Sequence, residues 1–244
     1  MTKTTTIVGL LTALMLGHGR TASAQTTPAP LTQGYVSINA GAQPQTRTFT
    51  TSASYPIYGE TATFSADHHV SNGPVFDING GKRVTTNLAI GAGFTSFSAK
   101  KDASEVTSSV PSPLFFNQPQ RTVQTMSDLK HTERAFYVQA VYIMPITNKI
   151  DISLGIGPTF IKVNQDLVSN IDIPARTQAA VPIVETQSKT AVGVNVGFDG
   201  TYLFTPRIGA GLFVRYAGAK ADLGSVSGLK VGGLQGGLGL RVRF

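Results

Sequence analysis

The side chains that could do chemistry are few. Asp67-His68-His69 sets an acid beside two imidazoles, with Ser65 and Ser71 close by, and His131 follows Ser127 farther along. A histidine flanked by a carboxylate is the usual general base for activating a serine or a water, so this set suits a lipid- or peptide-modifying hydrolase or acyltransferase. The competing reading is loop histidines with no such duty. On an extended segment His68 and His69 diverge to opposite faces, and serine is too abundant there for a neighbouring one to be informative. The adjacent histidines lack a third ligand at a metal-site spacing. The chain has no cysteine, which removes a thiolate ligand, a thiol nucleophile, a lipobox and a disulfide scaffold together. Gly91-Ala92-Gly93 lies inside a strand pattern and is not a phosphate-binding loop. The residues therefore assign no catalytic group, no cofactor and no metal.

A second set consists of charges spaced through apolar alternation: Asp77, Glu133, Asp199, Arg215, Arg241 and Arg243, with Arg83 and Asp151 beside them. Their meaning depends on the elements that carry them. Val192, Val194, Val196, Phe198, Tyr202 and Phe204 form one apolar parity against Gly193, Asn195, Gly197, Asp199 and Thr201. The pattern returns at Ile208–Tyr216 and again at Leu234–Phe244. Strict alternation over such lengths is a β-strand with one apolar face. These runs exceed the usual five or six residues and suit a membrane-crossing strand of about 9–11 residues plus extensions.

Short polar turns recur at Val84–Leu88, Ile146–Ile150 and Phe204–Ile208, while long polar segments lie near 48–70, 100–131 and 167–187. Short turns at one end and long loops at the other predict an all-β, transmembrane, antiparallel up-and-down barrel. Eight strands are expected, near 34–46, 72–84, 87–99, 132–146, 149–165, 188–204, 207–222 and 229–244. The partial alternation of Glu60–Val70 extends the second strand or adds another, and ten strands is the alternative. Phe94, Phe136, Phe160 and Tyr216 fall at the loop end of the apolar parity, and Tyr142, Tyr202 and Phe204 at the turn end, where amphipathic rings meet a membrane interface. A soluble β-sandwich needs neither such long strands nor rings at both rims.

The composition agrees. Charged residues are 14% of the 244, against roughly 25% in a typical soluble domain. No run of about 20 apolar residues offers a membrane helix. Residues 1–24 read as a secretory signal, with Lys3, an apolar Ile7–Leu16 and the cleavage site Ala22-Ser23-Ala24. Residues 25–33 are a polar lead-in and 34–244 a single barrel domain. Loss of Lys3 and Arg20 lowers the formal charge from +7 to +5. That excess favours anionic lipid, and without a clustered basic stripe it does not point to nucleic acid.

The terminal Leu240-Arg241-Val242-Arg243-Phe244, with Leu240, Val242 and a final Phe244 at alternate positions, resembles the C-terminal assembly signal of bacterial outer-membrane barrels. The eight-strand plan is similar to small barrels of the outer-membrane protein A and X type. The resemblance implies a porin-like barrel in a Gram-negative outer membrane with both termini periplasmic. Outer-membrane lipids, the barrel assembly machinery and periplasmic chaperones are then its partners, with an extracellular partner at the loops. No wall-binding domain is expected after the last strand.

In a barrel this narrow the inward charges must pair or be hydrated. Arg215 and Asp199 are the expected pair, since they lie on neighbouring strands. Inward Gly91, Gly93, Gly155, Gly157, Gly209 and Gly211 either leave room for long side chains or let the strands bend. Val110–Phe116 and Tyr55–Tyr58 are apolar loop tips that bind a partner or fold over the mouth. The expected function is a structural and surface-interaction scaffold with a filled lumen, with a narrow passive channel and a rim enzyme as the alternatives.

Overall fold

The computed structural model describes residues 34–244 except 45, 174–179 and 225, and excludes the side chains of 100–103. The signal segment and the lead-in lie outside the described residues. The strands are β1 (Gly34–Gln43), β2 (Arg47–Ile57), β3 (Glu60–Val70), β4 (Gly73–Arg83), β5 (Leu88–Val110), β6 (Gln120–Pro145), β7 (Ile150–Asp172), β8 (Val181–Leu203), β9 (Ile208–Leu223) and β10 (Val226–Arg243). Eight of them close a ring in the order β1-β4-β5-β6-β7-β8-β9-β10, with β10 returning to β1. Every pairing is antiparallel. Backbone bonds between Gly34 and Phe244, 2.8 and 3.0 Å, join the start of β1 to the residue that follows β10.

Both counts foreseen from the alternation are present, in different senses. The chain has ten strands, but β2 and β3 form a hairpin outside the ring, attached through β3 to the far part of β5. Glu60–Val70 is thus a strand of its own and does not lengthen its neighbour.

The three turns share one chemistry. Thr85, Thr147 and Thr205 occupy the same turn position, and each hydroxyl oxygen accepts the N–H of the residue that begins the next strand, at 3.0–3.1 Å. The hydroxyl supplies the partner that a tight reversal removes from the ladder.

Register fixes the barrel. A row of paired residues runs from Phe160 through Phe136, Phe94, Ile78, Ile38, Leu240, Ala210 and Tyr202, and returns to β7 at Ile150, ten residues lower. Eight strands with that stagger tilt by about 40°. Ten residues at about 3.3 Å each then span roughly 25 Å of height, the thickness of an outer-membrane apolar band. Phe94, Phe136, Phe160 and Tyr216 stand exposed near one edge of this belt, and Tyr142, Tyr202, Phe204 and Phe244 near the other.

The segments read as loops are largely extended. β5 and β6 stay paired out to Val110↔Gln120, and β7 and β8 to Asp172↔Val181. Their Thr, Ser and Val content keeps strand propensity, and the polarity that suggested loops reflects strands with no lipid beside them.

Candidate functional site

The interior is filled in tiers from the turn end to the extended end. In the first tier Arg243 and Arg83 both face Asp151, the Arg83 contact at 3.9 Å. Arg241 follows, donating to Asp199 at 2.8 Å and to the Asn39 side-chain oxygen. A cavity of about 50 Å³ opens here beside Tyr35, Arg83 and Asp199, with room for only a few waters.

Above it Asp77, fully buried, accepts from Asn39 (2.6 Å), Asn79 (2.7 Å), Thr95 (2.9 Å), Tyr137 (2.7 Å) and Arg215. The Arg215 guanidinium lies 4.3 Å over the Tyr137 ring. Five donors, one of them a guanidinium stacked on Tyr137, are what a carboxylate needs to stay ionised away from water.

The expected Arg215–Asp199 pair does not form. On the β8–β9 ladder Asp199 stands across from Phe213, one step toward the turn end, and Arg215 stands across from Gly197. Asp199 therefore meets Arg241, and Arg215 reaches across the narrow lumen to Asp77 on β4. Asn39 and Tyr137, which complete this cluster, were not singled out from the sequence, although their inward parity was readable.

The glycines serve both expected purposes at different positions. A Cβ at Gly93 would stand 2.4 Å from the Tyr137 hydroxyl, and one at Gly155 2.8 Å from Gln139 Oε1, so these two make room. A Cβ at Gly157 would stand 1.9 Å from the Val138 carbonyl oxygen, so that glycine permits close backbone approach.

The next tier is held by Gln43 and Gln235, bonded at 3.0 Å, and then by Glu133. Glu133 accepts from His131 Nε2 (3.0 Å), Arg47 (3.3 Å) and the Gly232 N–H (2.9 Å), while His131 Nδ1 meets Gln165. His131 is buried, contrary to its reading as a loop residue, because the β5–β6 ladder continues past it.

Arg47 begins β2 and also donates to the Lys230 carbonyl at 2.6 Å, tying the β2–β3 hairpin across the mouth. Thr51 donates to the Val168 carbonyl at 3.2 Å. Phe49 packs against the buried cluster that contains Ile161, Val163 and Leu229, and Tyr55 against the one that contains Phe64, Val106 and Ile171. Barrel and hairpin thus share apolar clusters above the polar tiers.

His68 is buried in that hairpin, stacked on Phe49 at 4.9 Å, with Nε2 3.0 Å from Thr51 Oγ1. Burial pulls its pKa down to about 4, against the opposing pull of Asp67. Asp67 itself accepts from Thr50 at 2.6 Å, and His69 is exposed. The two imidazoles face opposite ways, as alternation requires, and the acid–histidine pairing does not assemble.

Only one of the two apolar tips folds down. Tyr55 is half-buried, whereas Leu114, Phe115 and Phe116 are 80, 60 and 71% exposed. That tip is nonetheless built. The Ser112 hydroxyl accepts the N–H groups of Leu114 and Phe115, and Glu60 accepts that of Asn117 at 2.9 Å. Asn117 has φ 58°, a left-handed position that asparagine tolerates.

A closed antiparallel ring, apolar outside and polar inside, with a belt of membrane height, defines a transmembrane β-barrel. The chain belongs to the outer membrane protein beta-barrel domain family, whose model matches residues 10–242. Its place is accordingly the outer membrane of a Gram-negative-type bacterium. Among solved structures it is similar to the outer membrane protein OprG of Pseudomonas aeruginosa, at 11% identity and TM-score 0.50, covering 87% of this chain and 96% of that one. It is also similar to Neisserial surface protein A, at 16% identity and TM-score 0.47, covering 86% and 97%. The outer membrane protease OmpT of Escherichia coli matches at 8% identity and TM-score 0.43, covering 86% and 97%. At these identities the likeness is one of fold. No curated protein matches the sequence.

Proposed function

We propose that this barrel does not conduct and instead presents its extended end to a partner outside the cell. The observation that carries this reading is the stack of tiers closing the lumen, from Asp151 through Asp77 and Glu133 to the apolar clusters under the hairpin. A cavity of about 50 Å³ at one end cannot pass solutes through such a stack. The exposed Leu114-Phe115-Phe116 tip, held by Ser112 and Glu60, is the surface offered. Three bare apolar side chains on a stiff loop suit a binding hot spot, because little ordering entropy remains to be lost. In this orientation the turns and both termini are periplasmic. His68 and His131 are buried, which disfavours the rim-enzyme alternative.

Two measurements test the proposal. In planar bilayers the folded protein gives no steady openings; steady, salt-dependent openings would move the passive channel to the front. The chain has no native cysteine, so single reporters are clean. In intact cells Phe115→Cys reacts with a membrane-impermeant maleimide and Thr86→Cys does not. The reverse pattern would overturn the orientation.

A further inference from the structure

We infer that one arc of the outward face, just beyond the aromatic edge of the belt, binds phosphate groups of the glycolipid in the surrounding outer leaflet. This deepens the reading above and rests on its orientation.

Arg134 on β6 is directly opposite Lys162 on β7, and Lys220 on β9 is directly opposite Lys230 on β10. All four are exposed and share the outward parity of Phe136, Phe160, Tyr216 and Leu234. Like charges directly across a ladder destabilise it, yet none of the four has an ion pair among the described residues. Two acids on the same face already hold other donors. Asp166 accepts from Thr186 (2.6 Å) and from the Lys130 N–H (3.0 Å), and Asp222 accepts the Gly228 N–H (2.7 Å).

The stagger of the barrel brings the two pairs to nearly one level. Arg134 and Lys162 each stand two residues from the paired Phe136 and Phe160, on the side of the extended end. The paired row through Phe160 and Val192 climbs by about 3 Å per strand toward Lys220 and Lys230. The four cations therefore lie roughly 2–10 Å above Phe160, where lipid phosphates sit and long basic side chains reach out to meet them. The pairs are about 13 Å apart at the backbone, with Thr190 and Val192 of β8 between them. On the arc across the ring, β1 and β4 present the paired Ala42 and Pro74 at outward positions near this edge. A phosphate oxygen between each pair would convert repulsion into two charge-assisted hydrogen bonds.

The full chain is expressed in a Gram-negative host, purified in detergent and offered lipid A or its dephosphorylated form, with retention read by native mass spectrometry. The parent retains lipid A, loses it at high salt and does not retain the dephosphorylated lipid. Each exposed cation near an anionic surface contributes a factor of about five, so Arg134→Gln with Lys162→Gln, or Lys220→Gln with Lys230→Gln, weakens retention roughly 25-fold. Arg134→Lys and Lys230→Arg retain it. Heat-shifted gel mobility shows that each variant is folded. Equal retention of both lipids, parental retention by a folded double variant, or displacement by inorganic phosphate at matched concentration would overturn the site. If a double variant fails to fold, the salt and dephosphorylation results on the parent decide. The Phe115→Cys labelling reports orientation separately, so failure of the lipid site and failure of the orientation are distinguishable.

Discussion

Replacing Arg215 by alanine tests whether the lumen is held by charge or merely wetted. Asp77 would keep Asn39, Asn79, Thr95 and Tyr137 as donors but lose its one ion-pair partner among the described residues. Arg215 is 1% exposed and Asp77 fully buried, so no bulk water stands ready to replace the guanidinium. Removing one partner of a buried pair costs about 3–5 kcal/mol, whereas a solvated pair is worth about 1 kcal/mol or less. The Tyr137 ring also loses its stacked cation, about 1–2 kcal/mol more. Urea unfolding in lipid vesicles, extrapolated linearly, gives the loss. A double-mutant cycle with Asp77→Ala isolates the coupling, expected at about 3 kcal/mol. Coupling at or below about 1 kcal/mol would mean that lumen water screens these groups, and the plugged-barrel reading would fall with it. Arg215→Lys should lose much of the stability too, because an ammonium lacks the flat face that lies on Tyr137.

Other outcomes follow from the cap and the chain end. Arg47→Ala should free the β2–β3 hairpin while the ring persists, at a local cost of about 1–3 kcal/mol, seen as faster amide exchange in Arg47–Val70 alone; uniform acceleration across the barrel would contradict the latch. His68, beyond the belt, has a folded pKa lowered from 6.5 to about 4. The open hairpin therefore binds more protons between those values. The stability that neutral His68 contributes is complete above about pH 6.5 and is lost as pH falls toward 4. Protease cutting within the hairpin should rise over that window, and His68→Phe, which cannot charge, should flatten the response; an unchanged pH profile in the variant would remove His68 as the cause. Phe244→Ala should lower the yield of assembled barrel, since it removes the terminal ring while leaving the two backbone bonds with Gly34 in place; normal assembly measured by heat-shifted gel bands would remove the terminal signal.

Alternation alone determined the architecture. Side-chain parity and tight turns are properties of consecutive residues, so the eight ring strands, the outward aromatics and the inward charges were legible in the sequence, with only strand ends displaced. The opposite facing of His68 and His69 followed from the same period. What depended on sequence-distant contacts was not legible. Asp77 meets Arg215 because a stagger of ten residues around eight strands decides which inward positions come level across the lumen, and no local pattern encodes that number. Segments rich in Thr and Ser carry the same local pattern whether they form loops or continue a ladder, so the β2–β3 cap and the burial of His131 were settled by pairing with β5 and by packing against β7. The closed lumen belongs to that second class of fact. Burying a hairpin over a mouth is a matter of shape between distant elements, and only the folded chain brings Arg47 to Glu133.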